Sequence, residues 1–292
     1  MIYDLRLSIE TQTASAALNA RNVLRIMPLE RPGMQRRITG AIAVQPVPDE
    51  RLDRLDFFGN PVTELGFHHP VAALSFQLTA RVERWAEAPP LDLSPERGRL
   101  LREIRQCLDL GPLSPHHFLG AAPYTGAVAE IAAFARAAAG SGATALETVT
   151  TLGTALHAEM RFIAGATEVD TPAAEAFRAR HGVCQDFSHI MIIGLRALGV
   201  PAGYVSGLLR TEPPPGQPRL EGADAMHAWV RAWCGQEMGW VEYDPTNAMP
   251  AGEDHVTVAL GRDYADVAPV KGALRVSGAQ TSQHAVDLIP VG

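Results

Sequence analysis

The feature that most constrains the fold is an apolar helix pattern at residues 182–199, which read Gly-Val-Cys-Gln-Asp-Phe-Ser-His-Ile-Met-Ile-Ile-Gly-Leu-Arg-Ala-Leu-Gly. Its apolar residues recur three, four, seven and eight positions apart, which is the spacing of one helix face. Ile192 and Ile193 extend the apolar surface most of the way round. The pattern therefore predicts a helix that is buried inside a domain.

Cys184 is the first residue of this predicted helix, and Gly182 before it allows the chain to turn sharply. The first backbone N–H groups of a helix have no intrahelical partner, and the helix dipole favours negative charge there. A thiolate, the nucleophilic form of cysteine, is therefore favoured at this position. A lone cysteine in an apolar segment is more often a small core residue, but two further segments favour a nucleophile.

Length and composition indicate a two-domain globular protein. The chain has 292 residues, 47% of them hydrophobic, and a mean hydropathy near zero. No apolar run is long enough to span a membrane, and Asp4 and Arg6 interrupt the amino terminus, which does not resemble a signal peptide. We therefore expect a cytoplasmic protein without membrane association.

The cysteines and the net charge narrow the possible partners. Cys107, Cys184 and Cys234 are widely spaced and odd in number, which predicts free thiols and offers no C-x-x-C metal clip. The net charge is -7 with no basic run, which argues against nucleic acid as a partner. The oligomeric state stays open.

The amino-terminal part is rich in alternating patterns. Apolar and polar residues alternate over residues 2–10 and again over residues 74–82, and shorter strand candidates occur at 23–27, 38–44 and 55–58. Strands at this spacing without long helices predict a small antiparallel β-sandwich or barrel from residue 1 to residue 87.

The rest of the chain is divided into a connector, a catalytic domain and a tail. Residues 88–124 are rich in proline and are interpreted as a connector with one helix, residues 125–270 as the catalytic domain, and residues 271–292 as a C-terminal tail. The helix candidates are residues 95–108, which start at Ser94-Pro95, and residues 127–138, 145–162 and 172–180. The strand candidates are residues 200–209, 226–233 and 240–245.

His227 and Asp244 lie on the last two of these strands. If the strands form a hairpin with an even-numbered loop centred between Gly235 and Gln236, His227 lies directly opposite Asp244. Directly opposed residues have Cβ atoms about 5 Å apart, which allows an imidazole and a carboxylate to hydrogen bond. An odd-numbered loop would instead place the two side chains on opposite faces of the sheet.

Cys184, His227 and Asp244 together make a candidate catalytic triad. His227 would take the thiol proton, and Asp244 would orient the ring. His189 lies about 140° round the helix from Cys184, at 3.6 residues per turn, so packing is expected for it. His255 follows two acidic residues and is a weak metal candidate, since no second histidine has suitable spacing nearby; no metal site is assigned.

Three segments, in this order, resemble the core of the bacterial transglutaminase-like superfamily: Gly-Val-Cys-Gln-Asp-Phe-Ser-His at 182–189, His-Ala-Trp-Val at 227–230, and Asp-Pro-Thr-Asn at 244–247. Residues 252–267 are similar to the segment that follows in its two-domain members, and Arg-Ile-Met-Pro at 25–28 and Phe-Gly-Asn at 58–60 resemble their β-rich N-terminal domain. The resemblance implies an α+β protein with a papain-like core, in which the nucleophile lies at a helix N-terminus packed on an antiparallel sheet.

The resemblance also implies amide-bond chemistry through a thioester, with Cys184 as nucleophile, His227 as base and Asp244 as orienting carboxylate. We expect a thiol-dependent amide hydrolase, either a peptidase or an amidase, that acts on a peptide or protein substrate without a cofactor. A protein-glutamine acyltransferase and a binding module without turnover are the alternatives. The proline-rich residues 212–223 end shortly before His227 and are predicted to form an exposed loop. A substrate lid and a passive connection are equally compatible with that loop.

Overall fold

Strands occupy both ends of the chain, and helices occupy its middle. The computed structural model describes residues 1–85, 91–140, 142–211, 224–275 and 280–291. The helices are α1 Arg97–Gln106, α2 Ala129–Ala138, α3 Ala145–Glu159, α4 Ala173–Ala179, α5 Cys184–Ala197 and α6 Tyr264–Val267. The strands are β1 Ile2–Leu24, β2 Gln35–Gln45, β3 Glu50–Leu55, β4 Pro61–Phe67, β5 Val71–Arg84, β6 Arg161–Phe162, β7 His181–Gly182, β8 Ala202–Leu209, β9 Ala225–Trp233, β10 Trp240–Asp244, β11 Met249–Pro250, β12 His255–Gly261, β13 Val270–Arg275 and β14 Gln280–Val291.

The N-terminal domain is one antiparallel sheet built around β1. The first half of β1 pairs with β5 and β14, and its second half pairs with β4 and β13. Strands β2 and β3 extend the sheet beyond β5 and β4. Because the two halves of one strand have different partners, the sheet curls on itself into half a barrel. The predicted antiparallel β-rich domain is confirmed, in its barrel-like form.

The C-terminal segment forms part of this sheet, whereas the sequence led us to expect a tail. β14 pairs with β1 from Ile2↔Val291 to Thr13↔Gln280, and β13 pairs with the end of β1. Val286 and Leu288 of β14 are buried in the hydrophobic core of the N-terminal domain. These strands cover backbone groups of β1 that would otherwise form an open edge. The N-terminal domain is therefore built from both ends of the chain.

The core domain, residues 97–267, holds the buried helix that the sequence predicts. Its sheet is antiparallel, with the strand order β11-β10-β9-β8-β12. Helix α5 packs on one face of this sheet, where Met191 and Leu195 are fully buried against Val230 and Ala232 of β9. Helices α2, α3 and α4 surround α5 on its other sides. The sheet therefore supports the helix that begins at Cys184.

The two domains meet along the outer strand of the core sheet, β12. Asn60 donates from Nδ2 to the Leu260 carbonyl at 2.8 Å and accepts the Leu260 N–H at 2.7 Å. Gln35 holds Thr257 in the same way, with both hydrogen bonds at 2.8 Å. Two amide side chains thus pair with an edge strand as a neighbouring backbone would. The interface fixes β12 relative to the N-terminal sheet.

The predicted helices of the core domain correspond to α2, α3 and α4, but the expected start of α1 is wrong. Helix α1 begins at Arg97, and the Ser94 hydroxyl instead accepts the N–H of Leu146 at the start of α3, at 2.9 Å. The proline-rich residues 212–223, predicted to be a lid or a connection, lie outside the described residues. Among the residues that are described, no helix has the length and apolar character needed to cross a membrane.

We expect Asn60→Ala to lower the free energy of unfolding by about 2 to 4 kcal/mol, because it leaves both backbone groups of Leu260 buried without a partner. Chemical denaturation measures this change. Gln283→Ala on β14 is the control, since Gln283 is exposed and its loss should change stability little. Equal stability of the two variants would show that the Asn60 contacts do not hold the domains together.

Candidate active site

The start of helix α5 is shaped by the carboxylate of Asp186. Its Oδ2 atom accepts the Val183 N–H at 2.8 Å and the Thr167 hydroxyl at 2.6 Å. Burial raises the pKa of Asp186, and these hydrogen bonds oppose that effect. A Cβ atom at Gly182 would lie 2.5 Å from Oδ2, so only glycine leaves room for this carboxylate. The turn before Cys184 is therefore fixed by side-chain contacts.

Cys184 is partly exposed at the first position of α5. The N–H groups of Asp186 and Phe187 bond to the Val183 carbonyl, so the N–H of Cys184 precedes the first helical hydrogen bonds. The other two thiols have different surroundings. Cys107 is half-buried just after α1, whereas Cys234 is fully buried, and burial raises its pKa to about 12. Of the three thiols, Cys184 is the one that combines partial exposure with a position at a helix start.

His227 and Asp244 form a buried hydrogen bond, with His227 Nε2 2.7 Å from Asp244 Oδ2. The predicted contact is present, but the predicted register is wrong by two residues. Trp240 pairs with Trp233 and Tyr243 with Val230, so Asp244 is diagonal to His227. The loop has an even number of residues, as expected, and is centred one residue later, between Gln236 and Glu237. Even parity keeps both side chains on one face, where diagonal neighbours can still touch.

His227 also interacts with Cys184. Burial disfavours the charged ring, but hydrogen bonds to Asp244 and to Cys184 outweigh burial and raise the pKa of His227. Because Nε2 is bound to Asp244, Nδ1 is the ring nitrogen left to face the thiol. The structure therefore brings together the three side chains that the sequence singled out, in the order thiol, imidazole and carboxylate.

Asp244 is fully buried and accepts several hydrogen bonds besides the one from His227. Asn247 donates from Nδ2 to Oδ2 at 2.7 Å, and the Thr246 N–H donates to Oδ1 at 2.9 Å. Burial raises the pKa of this carboxyl group, yet hydrogen bonds from His227, His255 and Asn247 lower it overall. The carboxylate is therefore held in its charged form.

His255 is a contact of Asp244 that sequence reasoning missed. Its Nδ1 atom accepts the Gly252 N–H at 3.1 Å, so in the neutral ring the proton is on Nε2, which lies 3.2 Å from Asp244 Oδ2. His255 is buried and packs edge-on against Trp229. The one hint in the sequence is that His255 follows Asp244 by 11 residues. Strand pairing does not predict the contact, because His255 begins β12, which is not adjacent to β10 in the sheet.

The two histidines that contact Asp244, together with Asp244 itself, are the candidate metal ligands among the described residues. Ligand atoms of His227, Asp244 and His255 all lie within 4.8 Å of one another. Both Nε2 atoms already bond to one carboxylate oxygen, and the second nitrogen of His255 accepts a backbone N–H. A metal ion would have to replace these hydrogen bonds, so the donor set suits a proton network better than a metal site.

The remaining histidines near α5, His189 and His181, have structural contacts, as expected for His189. His189 is buried, stacks on Tyr124 and accepts the Tyr264 N–H at 3.3 Å. Burial and then the charge of Arg196 lower its pKa to about 3, which keeps the ring neutral. His181 bonds through Nδ1 to the Ala179 carbonyl at 2.9 Å. Neither ring takes part in the contact between His227 and Asp244.

Two models of known families match this chain. The model of the transglutaminase-like superfamily matches residues 132–245, which include Cys184, His227 and Asp244. The model of the bacterial transglutaminase-like N-terminal region matches residues 5–83, which form most of the curled sheet. The chain therefore belongs to the transglutaminase-like superfamily and carries the bacterial N-terminal region ahead of its core.

Curated relatives share part of the chain. An uncharacterised protein of Mycobacterium tuberculosis is 39% identical over 149 residues, which is 50% of this chain and 48% of that protein. A protein-glutamine gamma-glutamyltransferase of Pseudomonas aeruginosa is 39% identical over 71 residues, 24% of this chain and 10% of that enzyme. The chain thus spans about half the length of the mycobacterial relatives that it matches.

A solved structure shares the whole fold. The crystal structure of a proposed cysteine protease from Cytophaga hutchinsonii matches with a TM-score of 0.75 and 21% identity, and the alignment covers 100% of this chain and 92% of that one. At this level of identity the likeness concerns the fold alone. It extends over both domains, so their arrangement is shared as well.

The hydrogen bond to Asp244 should dominate the titration of His227. We expect Asp244→Asn, made in a Cys184→Ala background, to lower the pKa of His227 by about 1 to 3 pH units, because burial is then no longer outweighed by a carboxylate. NMR titration of labelled histidine rings, compared with Cys184→Ala alone, measures this change. His189 serves as an internal reference because its pKa of about 3 keeps it neutral throughout. An unmoved His227 midpoint would contradict the assignment.

Proposed function

We propose that the chain is a thiol-dependent amide hydrolase, a cysteine peptidase or amidase, that acts on a peptide-like substrate. The observation that carries this proposal is the buried contact of 2.7 Å between His227 and Asp244 next to Cys184 at a helix N-terminus. A thiol, a base and an orienting carboxylate form the arrangement that cysteine nucleophiles need. The name of the Cytophaga protein, a proposed cysteine protease, is in keeping with it.

In the first half-reaction, His227 Nδ1 takes the proton of the Cys184 thiol, and the sulfur attacks the carbonyl carbon of the substrate. The carbon–sulfur bond forms, and the negative oxygen is stabilised by backbone donors, for which the N–H of Cys184 is the first candidate. The amide carbon–nitrogen bond then breaks as His227 returns its proton to the leaving amine. A thioester remains on Cys184.

In the second half-reaction, His227 takes a proton from water, and the oxygen attacks the thioester. The carbon–oxygen bond forms, the carbon–sulfur bond breaks, and the proton returns to the Cys184 sulfur. Throughout, Asp244 stabilises the positively charged ring of His227, and Asn247 and His255 hold Asp244 in place. The thiol is regenerated, and the products are an acid and an amine.

Acyl transfer is the alternative, in which an amine takes the place of water in the second half-reaction. The match to the Pseudomonas protein-glutamine gamma-glutamyltransferase favours it, although that match covers 71 residues only. Both reactions use the same thioester, so the three side chains do not distinguish them. We favour hydrolysis because water reaches any open site, whereas transfer needs a second site that binds an amine.

We expect iodoacetamide to label Cys184 near neutral pH much faster than Cys107, and Cys234 last. Cys184 lies at a helix start next to a base, whereas Cys234 is fully buried. Peptide mapping by mass spectrometry follows the three thiols in one sample, with Cys107 as the matched control. His227→Ala should slow labelling of Cys184 towards the rate of Cys107. Equal labelling of Cys184 and Cys107 in the folded wild-type protein would refute the proposal.

Turnover should respond differently to the three substitutions. We expect Cys184→Ala and His227→Ala to abolish it, and Asp244→Asn to leave a residual rate, because the amide can still position the ring. Peptides and glutamine donors are screened in heavy-oxygen water, with and without methylamine, and the products are identified by mass spectrometry. Hydrolysis puts one heavy oxygen into the new acid, whereas transfer gives an N-methyl amide. Full activity of His227→Ala would rule out its role as base.

A further inference from the structure

A cavity of about 680 Å³ lies between the concave face of the N-terminal sheet and the core domain. This volume is typical of sites that bind small molecules or short peptide segments. Ile9, Asn22 and Leu74 line it on the sheet side, and Val169, Met226 and Tyr264 line it on the core side. Neither domain alone would enclose this space.

The cavity lies beside the candidate active site. The Val169 carbonyl accepts a hydrogen bond at 2.8 Å from Nε2 of Gln185, the residue after Cys184. Tyr264 contacts the ring of Tyr204, whose pKa is raised first by burial and then by the nearby Cys184. Val169 and Tyr264 of the cavity wall thus contact Gln185, which follows Cys184, and Tyr204, which lies near it.

Asn22 is an unusual residue in the wall of this cavity. It is only 3% exposed, and its Nδ2 atom has no hydrogen-bond partner among the described residues. Gly272, its neighbour on β13, makes room for it, because a Cβ atom there would lie 2.9 Å from Asn22 Oδ1. A buried donor without a partner is destabilising, because its hydrogen bonds to water have been lost and not replaced. An acceptor that enters the cavity would remove this cost.

The other lining groups define the chemistry of that acceptor. Ile9, Leu74 and Met226 offer an apolar surface, and the exposed Glu168 at the rim disfavours an acidic ligand. We propose that the cavity binds a non-acidic extended segment of the peptide substrate, with Asn22 donating to one of its main-chain carbonyls and an apolar side chain packed against the sheet. The inference rests on the proposed function, because it places this segment next to the bond that Cys184 attacks.

A peptide reagent tests the cavity without knowledge of the natural substrate. The thiolate of Cys184 displaces chloride from acetyl-leucyl-alanyl chloromethyl ketone, so that a carbon–sulfur bond forms and the carbon–chlorine bond breaks. Iodoacetamide reports the reactivity of the thiol itself, and chloroacetone is the matched reagent without a peptide. We expect the peptide reagent to label wild-type Cys184 with saturation kinetics and far faster than chloroacetone does.

In Asn22→Leu we expect the second-order rate constant of the peptide reagent to fall about tenfold, the value of one lost hydrogen bond. The rate with iodoacetamide should stay unchanged. Gln77→Leu, at an exposed position of β5, is the matched control and should change neither rate. Val169→Trp is a second variant whose folding is not at risk, since Val169 is 49% exposed; its ring should block the cavity and slow the peptide reagent alone.

The outcomes separate the two proposals. If Cys184 reacts with iodoacetamide no faster than Cys107, the proposed function fails. If iodoacetamide labels Cys184 quickly but the peptide reagent gains nothing over chloroacetone, the function stands and the peptide site is wrong. Equal changes in the rates of both reagents in Asn22→Leu and Val169→Trp would also overturn the site, because they would reflect an altered thiol.

Discussion

The arrangement of the site depends on the burial of one carboxylate. Asp244 has no solvent exposure, and an ionised carboxylate in such a place is stable only when its oxygens are fully hydrogen bonded. His227, His255 and Asn247 share Oδ2, and the N–H of Thr246 bonds to Oδ1. Because these donors come from three separate parts of the chain, the buried carboxylate has all of them only when β9, β10, the turn after β10 and β12 are in place.

Residues of the N-terminal domain contact the strands that carry this hydrogen-bond network. Arg84, at the end of β5, is buried and donates from Nε to the carbonyl of His255 at 3.1 Å. Arg31 lies 2.7 Å from Glu242 Oε1 as an ion pair, and Trp229 donates to the other oxygen of Glu242 at 2.8 Å. Burial raises the pKa of Glu242, but Arg31 and Trp229 outweigh it and lower that pKa. Residues of the N-terminal domain therefore contact β10, which carries Asp244, and β12, which carries His255.

Local sequence patterns predicted the features of the site that depend on neighbouring residues in the chain. The position of Cys184 at a helix start follows from helix periodicity and a glycine, and the shared face of His227 and Asp244 follows from the even parity of one loop. The exact register of this hairpin does not follow from a local pattern. Gly235 and Gly239 both adopt positive φ, and a hydrogen bond from the Cys234 N–H to the Gly239 carbonyl closes a six-residue loop. The sequence contains two glycines there but no two-residue turn signal to fix the centre. The role of β13 and β14 was missed for a similar reason, since pairing between the two ends of a chain leaves no local signal.

The contact of His255 with Asp244 shows why the N-terminal domain belongs to the site. β12 is separated from β10 by two strands, so no pairing rule brings these two residues together. Their contact depends on where β12 lies, and β12 is held by Asn60 and Gln35 of the N-terminal domain. The same domain supplies Asn22 and Leu74 to the wall of the cavity that Val169 and Tyr264 line on the core side. Removal of the N-terminal domain would therefore release β12, and with it the contact of His255 with Asp244, and would open this cavity at the same time.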